Sequence, residues 1–167
     1  VIISVPSSAV RTMDYPETLM RQWDQILDAA ADLATIPRER VRPERYTPDQ
    51  QISAGYMHSG YPIMTHMDAV DDMTTPEKLG LNHKGGSWGL FHELGHNHQA
   101  SEWTFDGTGE VTVNLFSLYI METVCGQPMN AGHGALDKRA ELIGKFMDDR
   151  KGKGDGAGGP SFERWKS

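Results

Sequence analysis

His92-Glu93-Leu94-Gly95-His96 constrains this 167-residue chain more than any other stretch. On an α-helix each residue advances about 100°, so residues four apart lie within roughly 40° of each other on one face. His92 and His96 so placed can grip one Zn²⁺, and Glu93 beside them can take a proton from water at the metal. Leu90, Phe91 and Leu94 form an apolar stripe on the other side, which anchors the helix in a core. The plainer alternative is two surface histidines and a solvated glutamate on an amphipathic helix. A third ligand decides between them.

The third ligand is expected just downstream. Asp106-Gly-Thr-Gly109 reads as a turn, with Thr108 capping a second helix. That helix runs from Glu110 to about Cys125 and carries Val111, Val113, Leu115, Phe116, Leu118, Ile120 and Val124, so it should be buried nearly all round. Its one non-aliphatic strip is Glu110, Asn114, Ser117 and Met121. An unpaired carboxylate at the start of a buried helix is costly unless a cation meets it. Glu110 is therefore the expected third ligand, and Asn114, one turn on, is placed to orient a ligand. An ordinary glutamate favoured by the helix dipole is the alternative.

The rest of the chain supplies the scaffold. Val1-Ile-Ile-Ser-Val5, closed by Pro6, reads as a buried strand. Asp14-Tyr-Pro-Glu17 starts a helix whose Leu19, Trp23, Ile26, Leu27, Ala30 and Ala34 recur at helical spacing up to Pro37. Residues 37–49 read as a charged, proline-broken connector. Alternation in Gln50–Tyr56 and in Tyr61–Thr65 predicts a hairpin, with Pro62 placing its second arm at a sheet edge. An edge strand can pair with an extended peptide. His58 and His66 lack a ligand spacing and take turn or surface roles. Residues 67–86 read as a loop with one helical turn at 76–79 and a glycine-rich entry, with Ser87 a possible cap for the metal helix. A third amphipathic helix is expected from Leu136 to about Asp149, with Leu136, Ala140, Ile143 and Met147 on one face.

Composition closes off other classes. A net charge of −7 argues against a nucleic-acid surface, which needs a basic stripe. No apolar run approaches the ~20 residues of a membrane helix. The single cysteine, Cys125, excludes an internal disulfide framework and reads as a buried structural thiol, not a nucleophile. Beginning at Val1, the chain reads as a piece of a longer protein.

Gly89-Leu-Phe-His-Glu-Leu-Gly-His-Asn-His-Gln99, then Trp103, then Gly109-Glu-Val-Thr-Val-Asn-Leu-Phe-Ser-Leu-Tyr119 resemble the core of the M60 (enhancin-like) zinc metallopeptidases. Gln51-Ile-Ser-Ala-Gly-Tyr-Met-His-Ser-Gly-Tyr-Pro-Ile-Met64 resembles the segment ahead of that family's metal helix, and the likeness covers residues 1 to about 125. The resemblance implies an α+β fold: a zincin-like metallopeptidase core, mainly helical, with a small N-terminal β-sheet or hairpin and a central His-Glu-x-x-His helix. It implies a gluzincin site, with one Zn²⁺ per chain on His92, His96 and Glu110, and Glu93 as general base toward a zinc-bound water. Residues 1–150 would be the catalytic core, and 151–167 a Gly-rich linker or exposed loop and tail.

The implied activity is a secreted or cell-surface endopeptidase acting on O-glycosylated, mucin-like proteins. Tyr56, Tyr61, His98 and Tyr119 are candidates for a further donor to the oxyanion, and Trp88 and Trp103 for stacking on sugars. The alternative is a non-catalytic glycan- or protein-binding module of the same type, which the intact Glu93 disfavours. A closed structural zinc site is disfavoured too, because only three ligands can be placed and none is a cysteine.

Overall fold

The computed structural model describes residues 1–128 and 132–151 of the chain, and it is a mixed α+β fold. It falls into two compact units, Val1–Gly132 and His133–Ser167.

The first unit opens with β1 (Ile2–Ile3) and a single helical turn, α1 (Ser7–Val10). Ile2 is exposed, because β1 lies at the edge of the sheet and has a neighbour on one side only. Helix α2 (Pro16–Ala34) follows, with Tyr15 and not Asp14 at its N-cap and Pro16 in the first turn. Its buried face is the expected one: Leu19, Trp23, Ile26, Leu27 and Ala30. The Trp23 indole N–H donates to the Met73 carbonyl at 3.0 Å, so the largest core side chain is buried with its polar atom satisfied.

The expected connector contains a strand, β2 (Arg45–Asp49). Pro48 is tolerated there for a definite reason. The Glu44 and Tyr46 carbonyls accept from Ile2 and Ser4, so even-numbered residues of this strand turn toward β1. The donor that Pro48 lacks would face the same way, where the β1 pairing has already ended at Ile3↔Tyr46. β3 (Met57–His58) and β4 (Ile63–His66) complete a sheet of order β1-β2-β4-β3, with β2 parallel to both neighbours and β3 antiparallel to β4.

The hairpin therefore differs from expectation. Its second arm, β4, is an inner strand, because Pro62 lies in the turn ahead of Ile63 and takes no place in the ladder. The edge is β3, and it forms at Met57–His58, past the expected first arm, of which residues 50–56 form no strand. Gln50 and Gln51 are turned by the Asp49 carboxylate, which accepts both their N–H groups, and Gly55 is left-handed at φ 59°. Both features break the extended run.

The polar stretch after β4 is not a plain loop. It holds a 3₁₀ turn (Met67–Ala69), α3 (Val70–Thr74) and a second 3₁₀ turn (Leu81–His83). Ala69, Met73 and Leu79 from it are core residues.

The central helix α4 (Trp88–His98) buries Leu90, Phe91 and Leu94, as its apolar stripe requires. Ser87 stands at its N-cap without a side-chain capping bond. The Tyr46 hydroxyl donates to the Leu90 carbonyl at 3.0 Å and ties α4 to the sheet. After a loop come α5 (Gly109–Thr112) and α6 (Asn114–Thr123), nearly continuous through Val113. Thr108 precedes α5, but its hydroxyl donates to the Phe105 carbonyl and caps nothing.

These helices are not buried all round. Val113, Phe116, Ser117, Ile120 and Met121 face the core, while Leu115 is 52% exposed and Val111 is also open. A residue count alone misses this, because Val111 and Leu115 on the exposed side are as apolar as their buried neighbours. α6 packs closely on α4 at Gly95, where a Cβ would stand 2.8 Å from Phe116 Cβ and 2.9 Å from Val113 Cγ2.

The second unit, taken by itself, contains a 3₁₀ turn (Gly134–Lys138) and α7 (Arg139–Lys151). The expected helix is present three residues later than its predicted start. Ile143 and Met147 on its predicted apolar face are exposed, as are Leu142 and Phe146. The expected Gly-rich linker and tail lie outside the described residues from 152 onward.

Candidate metal centre

The spacing argument for α4 holds in three dimensions. His92 and His96 project from one face, with Nε2 atoms 3.2 Å apart. Glu110, the first-turn residue of α5, brings Oε2 to 3.0 Å from His92 Nε2 and Oε1 to 3.4 Å from His96 Nε2. These three side chains form the one metal-capable cluster among the described residues.

The reason given in sequence for Glu110 was wrong. Its side chain is 73% exposed, so no burial penalty demands a cation there. α5 begins at the surface, and Glu110 reaches the histidines because the α4–α6 contact at Gly95 brings the two helices together.

The ring orientations and tautomers are set by two side-chain amides. Asn114 donates through Nδ2 to the Glu110 carbonyl at 2.8 Å, so its Oδ1 must be the atom that meets His92 Nδ1 at 2.9 Å. Gln99 donates through Nε2 to the Gly109 carbonyl at 2.8 Å, so its Oε1 meets His96 Nδ1 at 2.8 Å. An amide oxygen only accepts, so each Nδ1 carries a proton, and a ring in its neutral form has its lone pair on Nε2, facing the other ring. In that form two lone pairs and a carboxylate converge with no donor between them.

A proton on one ring relieves one pair, whereas a divalent cation satisfies all three acceptors at once. Tetrahedral Zn²⁺ with ligands at about 2.0–2.1 Å separates them by about 3.3–3.4 Å. The imidazole nitrogens stand 3.2 Å apart, and each lies 3.0 or 3.4 Å from one of the two Glu110 oxygens, so the cluster is of the size such an ion spans. The residues present match the group in donor type, tautomer and spacing.

Glu93 is half-buried beside the cluster. Burial raises its pKa above the ordinary carboxylate value, opposed by the charges of His92 and His96 and by the Ser59 backbone N–H, which donates to it. That amide belongs to the β3–β4 turn. Asn97, on the next turn of α4, pins the turn by accepting the Gly60 N–H at 2.9 Å and donating to the Gly60 carbonyl at 3.0 Å. Ser59, Asn97 and Gln99 were all missed in sequence. Gln99 left a trace, since it follows His96 by three residues and shares its face. Ser59 and Asn97 left none, because their contacts cross between distant segments.

The remaining candidates sit elsewhere or play local roles. His98 lies about 200° round the helix from His96. It is buried, with Nδ1 on the Leu94 carbonyl and Nε2 3.3 Å from Arg40, and burial lowers its pKa. Trp103 packs on Phe116 with ring centroids 5.8 Å apart. Tyr119 lines a depression with Gln25 and Asp28 of α2. Packing engages His98 and Trp103, and the Tyr119 depression lies against α2. Trp88, at the start of α4, offers its carbonyl to the Ser117 hydroxyl. Tyr56 is exposed, stacked on His66 and hydrogen-bonded to Asp68. Tyr61 is exposed beneath the Arg42 guanidinium, two residues from the amide that meets Glu93. His58 bonds Ser53 and the Ser59 carbonyl, so neither it nor His66 joins the cluster.

Cys125 is fully buried, its thiol directed at the Leu79 carbonyl, and burial pushes its pKa up to about 11. At pH 7 only about one thiol in ten thousand is then ionised, and the thiolate is the reactive form. A thiol reagent at pH 7 is expected to leave the native protein unlabelled and to modify it rapidly in denaturant. Mass spectrometry of the two samples checks this.

The family described as Peptidase M60, enhancin and enhancin-like, matches residues 1–152. The chain belongs to the M60 family. The match runs past the residue near 125 where the sequence likeness was expected to fade, and it takes in α7. Among curated proteins, this M60 chain is 41% identical over 168 residues to a TRPM8 channel-associated factor homolog of Xenopus laevis, which covers 99% of the chain and 17% of that protein. It is 46% identical to TRPM8 channel-associated factor 2 of Bos taurus (81% of the chain, 15% of the protein). It is 42% identical to factor 1 of Homo sapiens (81% and 14%). The chain spans about a sixth of the length of these relatives. No solved structure matches it.

Proposed function

We propose that this chain is a zinc-holding M60-like module that binds a protein or glycan partner within a longer polypeptide. The observation that carries the binding role is the set of curated relatives, which are described by association with a channel and not by hydrolysis. A channel protein, or a protein bound to one, is the partner class this supports, in place of the mucin expected from sequence. No helix among the described residues is long and apolar enough to cross a membrane, so contact through the protein surface fits. His92, His96 and Glu110 hold one Zn²⁺ in this reading, and α4 packed on the sheet beside the edge strand β3 supports a zincin-like core within residues 1–150.

A second reading, a zinc endopeptidase secreted or displayed at the cell surface, is favoured by one observation. Glu93 is intact, half-buried and met by the Ser59 amide beside the ligands. Zinc, when bound, supplies Lewis-acid polarisation. Glu93 takes the proton from the attacking water and returns it to the leaving amine, and Tyr61 is the remaining exposed donor nearest in sequence to that turn.

Incubating the zinc-loaded chain and Glu93→Gln with mucin-type glycopeptides and unglycosylated peptides separates the two. Expected are no new termini by mass spectrometry and equal partner binding by both proteins. Termini produced by the natural sequence and lost in Glu93→Gln, with zinc retained, would establish the endopeptidase instead.

A further inference from the structure

We propose that Gln99 is a positioning residue that fixes two metal ligands at once, a role that rests on the metal reading of the site. Glu110 needs such help. It is exposed, it stands in the first turn of α5, and α5 follows a loop whose Phe105 and Asp106 are also exposed.

Gln99 closes that gap from the far end of α4. Its own N–H donates to the Gly95 carbonyl at 2.8 Å, which seats it as the last residue of the helix ladder. From there the side chain is half-buried and uses both ends of its amide. Oε1 accepts the His96 Nδ1 proton, while Nε2 donates to the Gly109 carbonyl at 2.8 Å and the Thr112 hydroxyl at 2.7 Å. Those two acceptors bracket Glu110 in the chain.

One planar amide thus orients the second histidine and holds the turn that carries the third ligand. Asn114 does a related but smaller job, joining His92 to the Glu110 carbonyl from within the same helical segment. Gln99 makes its link from the helix of the histidines and holds the chain on both sides of Glu110, whereas Asn114 makes its link from the segment of the glutamate. The connection is rigid because an amide cannot rotate one end without moving the other.

Gln99→Met keeps the side-chain length and removes both polar ends. Its zinc affinity, measured by chelator competition, is expected to fall about 10- to 100-fold, the usual size for removing a partner of a metal ligand. The visible absorption of the Co²⁺-loaded protein is expected to weaken as Glu110 leaves the ion. In a Glu110→Ala background the same substitution should cost less, because only the His96 contact remains to be lost.

Hydrogen exchange on the metal-free proteins supplies a readout independent of zinc. The Val111–Val113 amides should lose protection in Gln99→Met while those of α2 do not. Wild-type zinc affinity in Gln99→Met, an equal loss in the Glu110→Ala background, or unchanged exchange at 111–113 would each overturn the proposal. A natural chain that binds no zinc, yet loses that protection on substitution, would overturn the metal reading and leave the tether standing.

Discussion

His96→Ala is expected to abolish the stabilisation that zinc gives this chain. A ligand that binds only the folded state at a thousand times its Kd adds about 4 kcal/mol. For a chain of this size that corresponds to a Tm rise on the order of 10 °C, since each kcal/mol is worth roughly 2–4 °C. Removing one imidazole leaves His92 and an exposed carboxylate, too few donors for a tetrahedral ion. Thermal unfolding with added Zn²⁺, and again after a chelator, measures the effect. The natural sequence should lose its zinc-dependent rise in chelator, and His96→Ala should show none to lose. The metal-free proteins should differ little, because His96 is only partly buried. A zinc-dependent Tm rise of equal size in both proteins would remove His96 from the ligand set.

The second large effect is expected at a residue that binds nothing. In an ordinary helix, replacing glycine by a larger residue gains up to about 1 kcal/mol of helix propensity. At Gly95 a Cβ alone would stand 2.8 Å from Phe116 Cβ, and the Cγ atoms of valine have no space beyond it. Overpacking of this kind costs about 1–3 kcal/mol, so the clash outweighs the propensity gain. Gly95→Val is expected to lower the Tm of the metal-free protein by several degrees. It should also weaken zinc binding, because relief of the clash drives α6 away from α4 and carries Glu110 off the histidines. The coupled loss is the diagnostic result, read by thermal unfolding and chelator competition on one variant. A substitution elsewhere in the core, such as Leu27→Ala on α2, should lower stability without a matching loss in the affinity of the folded protein.

Much of the site was legible because it rests on local periodicity. His92, Glu93 and His96 needed only the pitch of a helix, and Leu90, Phe91 and Leu94 needed the same pitch to mark the buried side. Glu110 and Asn114 were picked out by their spacing on one strip, although the burial argument attached to Glu110 failed. A strip of side chains tells which residues share a face; it does not tell whether that face meets protein or water. The same limit explains Val111 and Leu115, whose apolar side chains imply burial and which the fold leaves open.

The sheet was less legible for another reason. Arg45–Asp49 is charged and contains Pro48, so nothing local marks it as a strand. It becomes one because β1 and β4, distant in sequence, offer parallel edges to it, and because Pro48 falls where β1 no longer pairs. The edge assignment of the hairpin failed likewise, since a proline ahead of a strand and a proline within one look alike in sequence.

The chain's sequence by itself determined which helix face carries imidazoles and which enters the core, because both follow from a repeat of 3.6 residues within eleven positions. Only the tertiary structure decided that the imidazoles meet a carboxylate, and that their Nε2 atoms and not their Nδ1 atoms are free. Those facts depend on how close α4 and α6 can approach at Gly95, and on the amides of Gln99 and Asn114. Closeness and amide orientation arise from packing between segments, and no one-dimensional spacing contains them.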